Sequence, residues 1–176
     1  MAGRSCEGCT LCCKLLSIEE IGKPRAVWCP HCDKKRGCKI YEQRPEPCRS
    51  FYCGYRRIPH LDARWKPSQA KLLINYETAH NRIALHVDPD RPDAWRIEPF
   101  YSTIKGWAAT VEAQGGTLVV WTGRNVTVVS PQHDWELGEL RDEQFILPVE
   151  RMTPGGVVRG YIAVEADDPR LDNGRL

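Results

Sequence analysis

The chain has 176 residues, 41% of them hydrophobic, with a formal net charge of +2. That is enough to bury a sizeable core and fits an ordinary globular protein of one domain, or of one small module attached to one domain. No run of about 18 apolar residues occurs, which excludes a membrane-spanning helix, and the opening Met-Ala-Gly-Arg-Ser-Cys lacks the apolar stretch of a secretory signal. A cytoplasmic location is expected.

All nine cysteines lie in the first third of the chain: Cys6, Cys9, Cys12, Cys13, Cys29, Cys32, Cys38, Cys48 and Cys53. A reduced compartment keeps thiols from pairing, so dense cysteines there point to metal ligands rather than disulfides, and an odd count would leave an oxidised framework with one thiol over. Thiolates at two-residue intervals, as in Cys6-x2-Cys9-x2-Cys12, converge on one metal because the intervening turn directs them to one side. Two parses use Cys9 and Cys12. An iron–sulfur loop takes the run Cys6, Cys9, Cys12 with a distant fourth cysteine, Cys48 or Cys53. A zinc ribbon takes Cys9-x2-Cys12 with Cys29-x2-Cys32. Cys13 fits neither simply, because neighbours in an extended chain point to opposite sides. Nine thiols are enough for two four-coordinate sites. His31, between Cys29 and Cys32, is read as a turn residue or hydrogen-bond donor to a ligand ahead of a ligand itself. The expected metal set is therefore all nine cysteines, holding zinc or iron, with an iron–sulfur cluster as one form.

These residues resemble a known family. Cys6-x2-Cys9-x2-Cys12-Cys13, then Gly37-Cys38-x-Ile40-Tyr41, then Arg44-Pro45-x2-Cys48-Arg49-x-Phe51, are similar to the YkgJ-type CxxCxxCC cysteine-cluster family, described as a zinc- or iron-chelating domain. The resemblance covers roughly residues 5 to 57. It implies metal chelation by the cysteines, and one branch, the flagellin lysine N-methylases, pairs the cluster with methyl transfer from S-adenosylmethionine. Cys29-x2-Cys32 and Cys53 are additions to the shortest family pattern. Within this reading Pro45 and Pro47 fix the approach to Cys48. Arg44 and Arg49 are expected to donate to thiolate sulfur or to pair with acids of the second half, and Tyr41 and Phe51 to pack over the site.

Residues 1 to 60 have too few apolar runs for a core of their own, so bound metal is expected to staple them. Tyr55 to Pro67, with two prolines and a cluster of cations, reads as a connection that wraps or links the two parts. From residue 61 the pattern is that of a packed α+β unit. Leu72–Tyr76 and Arg82–Val87 predict a β-hairpin with a longer loop. Between Glu98 and Gln114, Phe100, Ile104, Trp107, Ala108 and Val111 share one helical face, and Gly115-Gly116 ends the helix. Thr117–Trp121 and Asn125–Val129 predict a second hairpin around Thr122-Gly123-Arg124. Strands follow near Gln144–Val149 and Val157–Val164, and Asp167 to Leu176 reads as a frayed polar tail. The fold class expected is α+β, with a small cysteine-rich module packed on a unit of β-hairpins and one main helix.

Charge is segregated too. Residues 1 to 71 carry 15 Lys+Arg against 7 Asp+Glu, and residues 72 to 176 carry 10 against 16. A basic half suggests nucleic acid, but a divalent metal in four thiolates carries net −2, so metal sites would absorb part of the excess. Nucleic acid is accordingly ranked behind a metal ion and behind a protein partner for the acidic half. No phosphate-binding glycine loop, dinucleotide fingerprint or His-Glu-x-x-His pair is present. The functions carried forward are a structural or metal-storing cysteine cluster, an iron–sulfur redox or methyl-transfer component, and a zinc-ribbon nucleic-acid binder.

Overall fold

The fold was obtained as a computed structural model, and residues 4–141 and 143–171 are described. In chain order the elements are α1 (Leu11–Leu15), β1 (Cys32–Asp33), β2 (Gly37–Cys38), α2 (Glu46–Ser50), α3 (Gly54–Arg57), α4 (Pro67–Ala70), β3 (Leu72–Glu77) and β4 (Arg82–Val87). They continue with α5 (Phe100–Ala113), β5 (Thr117–Thr122), β6 (Asn125–Val129), β7 (Asp134–Glu139), β8 (Gln144–Thr153) and β9 (Gly156–Glu165). The chain is α+β. The part of the expected tail from Asp172 onward lies outside the described residues. Among the described residues no helix is long and apolar enough to cross a membrane.

Strands β3 to β7 form one five-stranded sheet in chain order, antiparallel except where β4 runs parallel to β5. That parallel pair needs a crossover, and α5 supplies it. The central strands are buried on both faces, which explains why Leu85, Ala84, Val119 and Val120, all at most 1% exposed, read as continuous apolar runs. Alternation divides the sheet between two layers. Leu72, Ile74, Leu85, Val87, Leu118, Val120 and Val129 meet Ile104, Ala108 and Val111 of α5, whose spacing places them on one helical stripe. The helix stops where Gly115 takes a positive φ of 74° and Gly116 presses on Asn81, whose carbonyl oxygen a Cβ would approach to 2.2 Å.

The opposite face is shared by two partners. Ala84, Val119 and Val128 lie under the β8–β9 hairpin through Tyr161 and Ile146. Leu73 lies under α1, against Leu11 and Leu15. Gly54 brings α3 against β3 so closely that a Cβ would sit 2.7 Å from the Ile74 Cβ.

Two expectations change. The Tyr55–Pro67 connection does wrap the molecule, but it also enters the core: Leu61 and Trp65 are 3% and 4% exposed, and Trp65 packs on Phe100 and Trp107 at ring-centroid distances of 4.7 and 5.0 Å. The Arg4 guanidinium fastens this stretch by donating to the carbonyls of Tyr55, Ile58, Pro59 and Leu61. Strand β7 carries no clear strand signal in the sequence, because Asp134-Trp135-Glu136-Leu137-Gly138-Glu139 offers only two inward apolar positions, Trp135 and Leu137, at a sheet edge.

Candidate metal centre

The thiols are positioned by short elements that have almost no hydrophobic support of their own. Gly8, at φ +68°, makes the turn that closes with the Cys9 amide donating to the Cys6 carbonyl at 2.8 Å. Helix α1 then carries Cys12 and Cys13. Because residues 11–15 are helical rather than extended, consecutive side chains are about 100° apart, and both thiols reach the same side. The opposition that an extended chain would impose on neighbouring side chains therefore does not apply to Cys12 and Cys13. The Cys29 amide donates to the Cys13 carbonyl at 2.9 Å, and the Cys32 amide closes the Cys29-Pro30-His31-Cys32 turn at 3.0 Å. Cys32 then pairs across from Cys38 in the β1–β2 hairpin. In α2, Pro47 lies in the first turn and Cys48 follows it.

These segments bring six cysteines together. Cys13 is hydrogen-bonded through its side chain to Cys12 and Cys32, and Cys32 feels the charges of Cys13, Cys29 and Cys38. Cys48 feels Cys13, Cys29 and Cys38. Hydrogen bonding to Cys12, burial and the Cys12 charge push the Cys13 thiol far up, and burial followed by Cys13 pushes Cys32 up to about 12. Burial raises Cys48 as well, with Arg44 opposing it. A second, smaller group consists of Cys6, Cys9 and Cys53. Burial raises the Cys53 thiol and the charges of Cys6 and Cys9 add to it, while the amides of Tyr55 and Ile74 donate to its sulfur and oppose the rise. Arg56 places Nη1 3.9 Å from Cys6 Sγ. Cys12 borders both groups, since it also packs with Cys9, Phe51 and Cys53 on the Leu11–Leu15–Leu73 cluster.

Beneath the larger group lies Lys23, 4% exposed. Its Nζ donates to the carbonyls of Lys14 at 2.9 Å, Pro24 at 3.0 Å and Leu16. Burial lowers its pKa, and the nearby charges of Cys29, Cys13, Cys12 and Cys48 oppose that. A buried ammonium hydrogen-bonded to three carbonyls is a positive charge held near the thiols. Lys14, next to Cys13, points the other way into the sheet unit, with Nζ 2.6 Å from both Asp88 Oδ1 and Asp90 Oδ2. Burial alone would lower its pKa, but the two carboxylates outweigh that and the net direction is up. Neither lysine, nor Arg56, carries a sequence signal that separates it from other cations in a basic segment.

The expected supporting residues fall differently. Arg49 donates Nε to the Arg44 carbonyl at 2.7 Å, and Arg44 stacks 3.7 Å from the Tyr41 ring centroid, so both stay within their own segment. Tyr41 is 58% exposed and does not cover the thiols, whereas Phe51 is half-buried beside Cys9, Cys12 and Cys53. His31 contributes its carbonyl, which accepts from the Lys39 amide at 2.8 Å.

All nine thiols are free, and among the described residues no three His, Cys, Asp or Glu side chains are already spaced as a metal cage. The donor set nevertheless suits a soft or borderline cation. Clustered thiols that raise one another's pKa cannot ionise together, and a bound divalent ion supplies the charge that releases their protons. A cleft of about 420 Å³ opens between α3, β3 and α5, lined by Tyr52 and Gly54, the chain neighbours of Cys53, but not by Cys53 itself. No family model, curated protein or solved structure matches the chain.

Proposed function

We propose that this is a metal-binding protein in which the N-terminal cysteines hold zinc or iron, the cluster serving as a structural centre or a metal store in a reducing compartment such as the cytoplasm. The observation that carries the reading is the gathering of Cys12, Cys13, Cys29, Cys32, Cys38 and Cys48 from α1, the β1–β2 hairpin and α2 above the buried Lys23 ammonium. The motif resemblance over residues 5 to 57 supports the same reading. Two metal positions are assigned: one within the larger group, and one at Cys6, Cys9 and Cys53, with Cys12 at their border. In this assignment the zinc-ribbon set draws on both groups, whereas the iron–sulfur set completed by Cys53 coincides with the smaller group and the bordering Cys12.

The cleft beside Cys53 favours a second reading, an enzyme in which an iron–sulfur or other metal centre at the smaller group acts on a molecule held in the cleft. Anaerobic purification without added metal, followed by elemental analysis, tests both. About one to two metal ions per chain are expected. Cys13→Ser should deplete the larger group and Cys53→Ser the smaller. Zinc in a colourless protein removes the iron–sulfur enzyme reading, while iron with visible absorption supports it. A folded protein that carries no metal contradicts the whole proposal.

A further inference from the structure

The cations of the cysteine module differ in how they are engaged. Lys14, Lys23, Arg4 and Arg49 are spent on carboxylates and carbonyls inside the molecule. Lys34, Lys35, Arg36 and Lys39 are not: all four are exposed on the β1–β2 hairpin, three in its turn and one directly after β2. Among the described residues the side chains of Lys35, Arg36 and Lys39 make no hydrogen bond or ion pair, and the Lys34 ammonium rests 4.7 Å from the Trp28 ring centroid. The single acid of the hairpin, Asp33, spends its Oδ1 on the Lys35 and Arg36 amides at 2.8 and 3.0 Å, and it feels the Lys39 charge without forming an ion pair with it. Asp90, the acid outside the hairpin that feels Lys34, is already held by Lys14. Two residues beyond Lys39, Tyr41 presents its ring to solvent while Arg44 covers one face.

We propose that the β1–β2 hairpin and Tyr41 form a track for single-stranded nucleic acid, with phosphates taken by Lys34, Lys35, Arg36 and Lys39 and an unstacked base laid on the Tyr41 ring. Four exposed cations along a hairpin follow a flexible phosphate chain, and an aromatic face beside them rewards bases that are free to stack. A duplex keeps its base faces buried and gains nothing from Tyr41. This goes beyond metal binding and reverses the ranking suggested by charge counting alone, because these four cations are not counter-charges buried against sulfur.

The test is fluorescence anisotropy of a labelled oligothymidylate of about 12 nucleotides titrated with the metal-loaded full chain at several salt concentrations. Binding at low salt with a log–log salt slope near −3 is expected, from about 0.7 per neutralised phosphate. The triple variant Lys35→Glu/Arg36→Glu/Lys39→Glu should bind at least about tenfold more weakly with a slope shallower by about 2. Tyr41→Ala should weaken binding by about tenfold with the slope unchanged. Metal content measured on each variant separates loss of the track from loss of the module. Absence of binding at low salt, a triple variant that binds like its parent, a duplex that binds as well as the single strand, or competition by polyglutamate equal to that of unlabelled oligothymidylate would each overturn the proposal.

Discussion

The cysteine module and the sheet unit are held together by different physics. Of the buried hydrophobic residues among those described, only Leu11, Leu15 and Ile18 come from the first 60 positions, and the rest lie in the sheet unit and the segment that wraps it. The sheet unit folds by burying apolar surface on both sides of β4 and β5. The module instead fixes its backbone with cations aimed at carbonyls, as Arg4 and Lys23 do, and leaves nine thiols to supply what a core does not. Under the proposed function, bound metal supplies the stability that the module's few apolar residues do not, and the sheet unit has no such need.

The joint between the two regions is where this contrast can be broken most sharply. Lys14→Met leaves the Asp88 carboxylate, 11% exposed, without its cation, and an unpaired buried charge costs about 3–5 kcal/mol. Urea unfolding should report that loss, and Lys14→Met/Asp88→Asn should recover much of it; an unchanged midpoint in the single variant would mean that the ion pair does not join the regions. Gly54→Ala forces a methyl against Ile74 at the α3–β3 contact and should cost about 1–3 kcal/mol, seen in the same assay. If Gly54→Ala is neutral, α3 is not seated on the sheet as described.

A change small within any one pH unit concerns titration. His86, in β4 on the face toward the module, accepts at Nδ1 from Arg25 Nη1 at 2.9 Å, so its proton is on Nε2, which is buried without a partner. Burial, with Arg25 adding to it, holds the imidazole down to about 3. The unfolded chain takes up a proton near about pH 6.5 and the folded one does not, so stability present above that pH is lost as pH falls toward 3. The slope from this group is at most about 1.4 kcal/mol per pH unit. Chemical unfolding of the parent and of His86→Phe at pH values on either side of this window should show the parent's slope reduced in the variant. Equal slopes would mean that His86 is not held neutral by its surroundings.

Much of the sheet unit is legible in the sequence because its signals are local. The β3–β4 hairpin, α5 with its glycine stop, the β5–β6 hairpin and the existence of strands β8 and β9, though not their pairing, all follow from alternation, helical spacing and turn residues. The parallel pairing of β4 with β5 is not local, since it depends on where α5 returns the chain. Trp65 and Leu61 are core residues hidden among prolines and cations, and β7 is an edge strand too polar to announce itself. In the module the cysteines are legible as donors by spacing, but their division is not. Cys6 and Cys9 join Cys53, and Cys12 and Cys13 face Cys29, Cys32, Cys38 and Cys48, because α1 is a helix seated on Leu73, a contact between residues more than fifty positions apart.

The most direct test of the account is hydrogen–deuterium exchange followed by peptide mass analysis, on the protein as purified and after treatment with a strong chelator under reducing conditions. Protection of the amides from Cys9 to Cys53 should collapse on metal removal while β4, β5 and α5 keep theirs. Equal protection of the module before and after complete metal loss would contradict a metal-folded N-terminal half.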